Sequence, residues 1–267
     1  MNAIALGPLL ISTPRLYAFI CALLLLFSSR YLLGLPAKQH GRWFNGLLVA
    51  WLLGARITFV ALNWESYSAN PLDTLKVWQP GYHALGGLTA GLLWTGWTLR
   101  ARLLALLGGL AMTLGAVSLW LVLVTLAPLG QQFAVASLPD VTLEDVDGNA
   151  VHLPSLANQN ELIIVNLWAT WCPPCLREMP LLEEADQRDG VTVVAANQGE
   201  DLLPIVRYLD EQSLALRYPL LDPQQTLTAR FQAPGLPTTI LFDQHGKTLD
   251  VHVGELTSAQ LERWLSD

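Results

Sequence analysis

Hydrophobic and polar positions follow two different rhythms along the chain, and the change comes near Phe133. Before it, apolar residues run almost unbroken through 14–34, 43–63, 81–99 and 103–127. Each run is close to the length of about 20 residues that crosses a hydrocarbon core. The pattern predicts an all-α domain of four transmembrane helices over 1–127. After Phe133, short apolar runs alternate with amphipathic ones. VTLEDVDGNAVHL reads as two strands about an Asp147-Gly148 turn, the local signature of a hairpin. ELIIVNLWA is a buried strand, CLREMPLLEEADQRD an amphipathic helix, VTVVAAN a strand and DLLPIVRYLDEQS a helix. TTILFD and TLDVHVG pair about His245-Gly246, and TSAQLERWLSD is a last helix capped by Thr257. Strands alternating with helices predict an α/β domain over 139–267. Hairpins at both ends make its central sheet mixed. PLGQQFAVASL (128–138) is a short linker.

Charge divides the chain at the same place. Eight basic and two acidic residues before Phe133 balance to +6; seven basic and twenty acidic residues after it balance to −13. The soluble half has no basic patch, which argues against a nucleic-acid partner. In the membrane half Arg30, Lys38 and Arg42 flank the first connection, and Arg100 and Arg102 form the third. Connections rich in Lys and Arg stay cytoplasmic. Both termini and the α/β domain are then expected on the periplasmic side of a bacterial inner membrane. The first run has only Arg15 ahead of it and no convincing cleavage site, and reads as a retained helix rather than a signal peptide. Trp43, Trp64 and Trp78 stand near span ends and fit interfacial anchoring. Arg56 lies well inside the second run, where a charge costs about 3 kcal/mol and normally faces a bundle interior or a polar ligand.

Of three cysteines, Cys21 sits in an apolar run, leaving the pair in NLWATWCPPCLREMP (166–180) to explain. A structural zinc site needs four ligands. There is no second cysteine pair, and His152 and His245 are isolated, so no metal is expected. A static disulfide over two residues would close a tiny loop and add little stability. Redox chemistry is the leading reading. A Cys-X-X-Cys opening a helix sets the first sulfur against unpaired N–H groups and the positive end of the helix dipole, which favours thiolate. Cys172 is the expected nucleophile and Cys175, one turn in, the resolving thiol. Pro173 and Pro174 suit a first helical turn, where a missing N–H costs nothing. Trp168 is expected in the core and Trp171 beside the dithiol. Glu183, Glu184 and Asp186 read as a solvated helix face.

These residues resemble the thioredoxin superfamily and, within it, the membrane-anchored TlpA/ResA/CcmG-like disulfide reductases. The resemblance runs through the whole soluble half and implies a thioredoxin-like fold. Pro180 falls where thioredoxins kink this helix. GLPTT (235–239) resembles the family's cis-proline loop, which implies Pro237 beside the cysteines and Leu236 and Thr238 offering contacts to a substrate strand. The 62 positions from Cys175 to Pro237 exceed those of plain thioredoxin, and imply an inserted strand and helix. One departure is informative. Thioredoxin keeps a buried aspartate six residues before the first cysteine, and here that residue is Asn166. The ResA-like pattern CxxCxxE supplies Glu178 instead, on the side of the helix that carries Cys175. It is the expected proton acceptor; the plainer reading is a surface helix glutamate.

GARITFVALNWESYSANPLDTLKVWQPGYHALGGL (54–88) and ALGPLLISTPRLYAF, with Tyr17, resemble the front part of prolipoprotein diacylglyceryl transferases. That family has a catalytic histidine directly before Gly-Gly-Leu; here the residue is Leu85, and the nearest histidine is His83. The family's later Arg and Asn-Gly-Glu segment is also missing. The resemblance implies an anchor that contacts membrane lipid through Tyr17 and Arg56, not a working transferase. Taken together, the sequence predicts a membrane-anchored periplasmic thiol-disulfide oxidoreductase whose only redox group is the Cys172–Cys175 pair, with no cofactor, and the resemblance implies that it runs as a protein-disulfide reductase. Its partners would be protein disulfide substrates, lipid and, as the resemblance implies, a membrane thiol-electron donor. The alternatives are a thiol oxidase or isomerase using the same site, or a lipid-binding or lipoprotein-processing membrane protein with an accessory thioredoxin domain.

Overall fold

The computed structural model resolves the chain into two compact units, one over Thr13–Pro128 and one built on Leu129–Asp267. Residues 3–6, 9–68, 71–76, 81–126, 136–157 and 162–266 are described. Residues 128–135 of the predicted linker, and Trp78, lie outside them. A short antiparallel ribbon, β1 (Ala3–Leu6) and β2 (Leu9–Ser12), precedes the helices.

The helical unit contains α1 (Thr13–Leu32), α2 (Ala37–Leu62), the short α3 (Trp64–Ser68), a 3₁₀ turn at Pro71–Leu75, α4 (Ala84–Leu99) and α5 (Leu103–Leu126). Three of these, α1, α2 and α5, are long and apolar enough to cross a membrane. The third predicted span, 81–99, forms only the shorter α4. Its 16 residues reach about 24 Å at 1.5 Å per residue, short of a core about 30 Å thick. Gly81, at φ +130°, turns the chain ahead of it, and His83 is still extended as the helix's N-cap.

Glycines let α4 lie close to α2, as small residues do between membrane helices. A Cβ on Gly54 would stand 2.4 Å from the Cβ of Ala90, and one on Gly86 would stand 2.2 Å from Thr58 Oγ1. Trp43 is not an interfacial anchor. It is fully buried and donates from Nε1 to Thr95 Oγ1 at 3.2 Å, while Trp94 Nε1 donates to the Trp43 carbonyl at 3.0 Å. Its place on the inner face of α2 decides this. Trp64 is exposed.

The second unit holds β3 (Thr142–Asp145), β4 (Ala150–His152), α6 (Leu153–Leu156), β5 (Leu162–Trp168), α7 (Pro173–Asp186), β6 (Val191–Gln198) and α8 (Leu202–Gln212), followed by β7 (Tyr218–Asp222), α9 (Thr226–Phe231), β8 (Thr238–Asp243), β9 (Thr248–Val253) and α10 (Ser258–Ser266). Its sheet runs β4-β3-β7-β6-β5-β8-β9 and is mixed: β6 is parallel to β5 and β7, and the remaining pairs are antiparallel. The stretch from Cys175 to Pro237 holds β6, α8, β7 and α9, and β7 enters the sheet between β6 and β3.

Alternation along the central strand β5 divides the core. Ile164 and Trp168 point into a cluster with α7, α8 and α10, and Ile163, Val165 and Leu167 into one with α6 and α9. Both faces are covered, so β5 and β6 read as continuous apolar runs. The end of the predicted linker belongs to this unit. The Leu138 N–H donates to the Gly246 carbonyl at 2.7 Å, and the Thr248 N–H donates to the Ala136 carbonyl at 3.1 Å.

Candidate active site

β5 ends at Trp168, four residues before α7 begins its first turn, and the cysteines sit in that passage from strand to helix. Cys172 is the N-cap of α7, its backbone extended, and its Sγ accepts the Cys175 N–H at 3.4 Å. Pro173 and Pro174 fill the first helical positions. The two sulfurs are bonded at 2.03 Å, with Cα atoms 5.3 Å apart. Cys172 is 4% exposed and Cys175 is fully buried. Trp171 stands 62% exposed, while Trp168 packs in the core beside Tyr208.

Pro180 lies inside α7 and lacks the N–H that would reach back to the Leu176 carbonyl. The Tyr208 hydroxyl on α8 donates to that carbonyl instead, at 3.2 Å.

Glu178 is not on the surface. It is 1% exposed, on the same buried side of α7 as Cys175, Met179 and Leu182. Its Oε1 accepts from Asn166 Nδ2 at 2.7 Å and its Oε2 from the Leu256 N–H at 2.5 Å. Burial pushes its carboxyl up to about 8, against the Leu256 and Asn166 hydrogen bonds and the Arg177 charge, which favour the ionised form; the Glu255 charge adds to the rise. Arg177 pairs with the nearly buried Glu255, Nε to Oε2 at 3.0 Å, and so fastens the loop that carries the Leu256 N–H.

The Leu236–Pro237 bond is cis. Leu236 packs against the cluster that contains both cysteines, and the Pro237 carbonyl accepts the Gly254 N–H at 2.9 Å. Thr238 is buried, with Oγ1 donating to the Gly235 carbonyl at 2.7 Å.

Asp186 corrects an expectation. It is 2% exposed, and it accepts the Val193 N–H at 2.9 Å and the Arg217 N–H at 2.7 Å, which ties α7 to β6 and to the chain entering β7. Glu183 also accepts a backbone N–H, from Ala215 at 2.6 Å, and only Glu184 of the three is a plain solvated residue.

Sequence reasoning missed Glu200. Its carboxylate accepts the Thr170 N–H at 2.7 Å, the Thr170 hydroxyl at 2.5 Å and Asn197 Nδ2 at 2.8 Å, and holds the turn just before the cysteines. Its one sequence signal is its place two residues past a fully buried strand. In the separate helical unit, Arg56 donates to the carbonyls of Thr74 (3.3 Å), Lys76 (3.3 Å) and Gly81 (3.1 Å), and its guanidinium lies 5.5 Å from the Tyr67 ring centre. Tyr17 is buried on α1.

A sheet carrying a cysteine pair at the N-terminus of the helix after its central strand, with a cis-proline loop in the same domain, defines a thioredoxin-like thiol-disulfide oxidoreductase. Comparison with known proteins agrees. The Redoxin family model matches residues 134–265. The thiol-disulfide oxidoreductase ResA of Halalkalibacterium halodurans is 33% identical over 127 residues, which cover 46% of this chain and 70% of that protein. ResA of Geobacillus kaustophilus is 31% identical over 134 residues, 49% of this chain and 75% of its own. A solved thioredoxin-family thiol:disulfide interchange protein from Chlorobium tepidum is 26% identical, covering 51% of this chain and 97% of its own at a TM-score of 0.42. The chain belongs to the ResA family of thiol-disulfide oxidoreductases.

Proposed function

We propose that the chain is a membrane-anchored, periplasmic reductase of protein disulfides. The observation that carries it is the pairing of Cys172 at a helix N-terminus with a buried carboxyl, Glu178, which burial pushes up to about 8, on the resolving cysteine's side of the same helix.

In the reduced protein the Cys172 thiolate attacks one sulfur of a substrate disulfide and releases the other as a substrate thiolate. Cys175 then gives its proton to the Glu178 carboxylate. The Cys175 thiolate attacks Cys172 Sγ, which releases the second substrate sulfur. Two electrons pass to the substrate, and the Cys172–Cys175 disulfide remains, the state seen in the structure. A reduced thiol pair of a membrane donor restores the dithiol by the same exchange in reverse. No other redox group enters the cycle. Trp171, exposed beside the nucleophile, and the Leu236-Pro237-Thr238 loop are the proposed contacts for the substrate strand. Membrane lipid is the proposed contact of Tyr17 and Arg56. Arg56→Ala is then expected to lose phospholipid that co-purifies with the wild type.

Equilibration of the dithiol with glutathione tests the direction. A reductase is expected near the thioredoxin value of about −270 mV, whereas a result near the −120 mV of about the strongest protein oxidants would reverse the reading. Disulfide exchange by Glu178→Gln, measured across pH, tests the acceptor. The variant is expected to lose the acceleration that the wild type shows as pH rises toward about 8; an unchanged profile would remove Glu178 from the mechanism.

A further inference from the structure

Asn166 stands where a second carboxyl would be the obvious choice, and the structure shows what an amide does there instead. It sits fully buried at the middle of β5, on the face that carries Ile164 and Trp168, opposite Thr239 of β8. Its Nδ2 lies 2.7 Å from Glu178 Oε1 and 2.9 Å from Thr239 Oγ1. Its Oδ1 has no hydrogen-bond partner among the described residues. A buried acceptor left dry carries its full desolvation cost, so one end of this amide is always the loser.

Which end loses depends on Glu178. An ionised carboxylate only accepts, and Nδ2 supplies its donor. A protonated carboxyl has an O–H to give, and Nδ2 cannot take it. The two ends of an amide are nearly the same size, and the torsion that exchanges them is soft. Turned over, Asn166 would present Oδ1 to the Glu178 O–H and to the Thr239 hydroxyl, which can itself donate or accept. The Leu256 N–H stays on Oε2 in both states.

We infer that Asn166 is the positioning residue of Glu178, its amide turning over as the carboxyl gains and loses its proton, so that the carboxyl keeps two hydrogen bonds throughout. The inference rests on reading Glu178 as the acceptor of the Cys175 proton. It also explains the residue type. An aspartate at position 166 would face Glu178 with a second carboxyl and share one proton with it. A leucine would serve neither state. The other groups around Glu178 are Cys175 on the same buried side of α7, the Arg177 charge, and Glu255 and the Leu256 N–H in the loop after β9, while Thr239 of β8 meets Asn166. His252 Nε2 lies 3.1 Å from the Glu255 carbonyl oxygen. Of these, the Leu256 N–H is the other direct donor to the carboxyl.

The test uses the oxidised full chain in detergent micelles, with labelled glutamate carboxyls and asparagine amides followed by NMR across pH. The Glu178 carboxyl and the Asn166 NH₂ resonances are expected to move together, with one midpoint near about 8. In Glu178→Gln the Asn166 resonance should stop moving. Asn166→Leu removes a partner from both forms, but the hydrogen bond to the ionised carboxylate is the stronger of the two, so the Glu178 midpoint should rise, and each unit of rise lowers the carboxylate available at pH 7 about tenfold. Asn166→Asp should split the titration into two coupled steps. An Asn166 resonance that stays still through the Glu178 titration, or a Glu178 midpoint unmoved in folded Asn166→Leu, would overturn the inference. The wild-type measurement decides alone if the variants do not fold. A Glu178→Gln protein that exchanges disulfides with an unchanged pH profile would instead overturn the acceptor reading, and the resonance test judges Asn166 separately.

Discussion

Glu178 titrates high because its charged form has lost water, and the Leu256 N–H and Asn166 return only part of that solvation. An ordinary glutamate in the unfolded chain ionises above about pH 4.3. Between there and about 8 the folded protein holds the extra proton. The contribution of Glu178 to stability is therefore full below the unfolded value and is lost as pH rises through the folded one. Glu178→Gln has no proton to lose. Urea midpoints of the oxidised protein, followed by near-ultraviolet circular dichroism at pH 5 and pH 8, should fall more with pH in the wild type than in the variant. Equal slopes would mean that Glu178 titrates normally.

Two helices show how elements are held in place by groups outside them. α7 tolerates Pro180 because the Tyr208 hydroxyl reaches the Leu176 carbonyl that the proline leaves unpaired. Tyr208→Phe strands that carbonyl, and is expected to cost about 1 kcal/mol of stability, read as a lower denaturation midpoint for the unit that carries α7. The change should be larger than that of Glu184→Ala on the solvated face of α7. In the helical unit, α2 and α4 meet through Gly54 and Gly86, with no room for a side chain at either. Gly54→Leu is expected to separate the pair. Loss of a disulfide cross-link engineered between α2 and α4 would report it, and an intact cross-link would show that the helices can shift to accept the bulk.

At the scale of the molecule, the basic connections predict that the catalytic unit and the connection at Arg100 face opposite sides of the membrane. Single cysteines at the exposed positions Gln244 and Arg100, in a background where Cys21, Cys172 and Cys175 are serine, test this. An impermeant maleimide added to intact cells should label Gln244→Cys and spare Arg100→Cys. The reverse pattern would place the dithiol in the cytoplasm. α4 adds weight to the measurement, since at 16 residues it is shorter than the three helices that are long and apolar enough to cross a membrane.

Much of this protein is written locally. Apolar run length, period-two strands, Asp-Gly and His-Gly turns and the Cys-X-X-Cys spacing all act between near neighbours. They are enough to place α1, α2, α5, the hairpins, α7 and the cysteine pair at its start. β7 and α9 carried no such mark, because their burial comes from β3, β6 and the far face of the sheet. The fates of charged side chains were equally hidden. Asp186 reads like Glu184, yet its neighbours arrive from β6 and the chain entering β7, and a buried carboxylate and a solvated one share a helix turn. Trp43 reads as an anchor and is a core residue, because Thr95 comes to it from another helix. The sequence by itself determined which residues can do redox chemistry, since that is a property of side chains and short spacings. Only the tertiary structure decided that Glu178 is dry and that Asn166 and the Leu256 N–H meet it. Solvation depends on what the rest of the chain brings to a position.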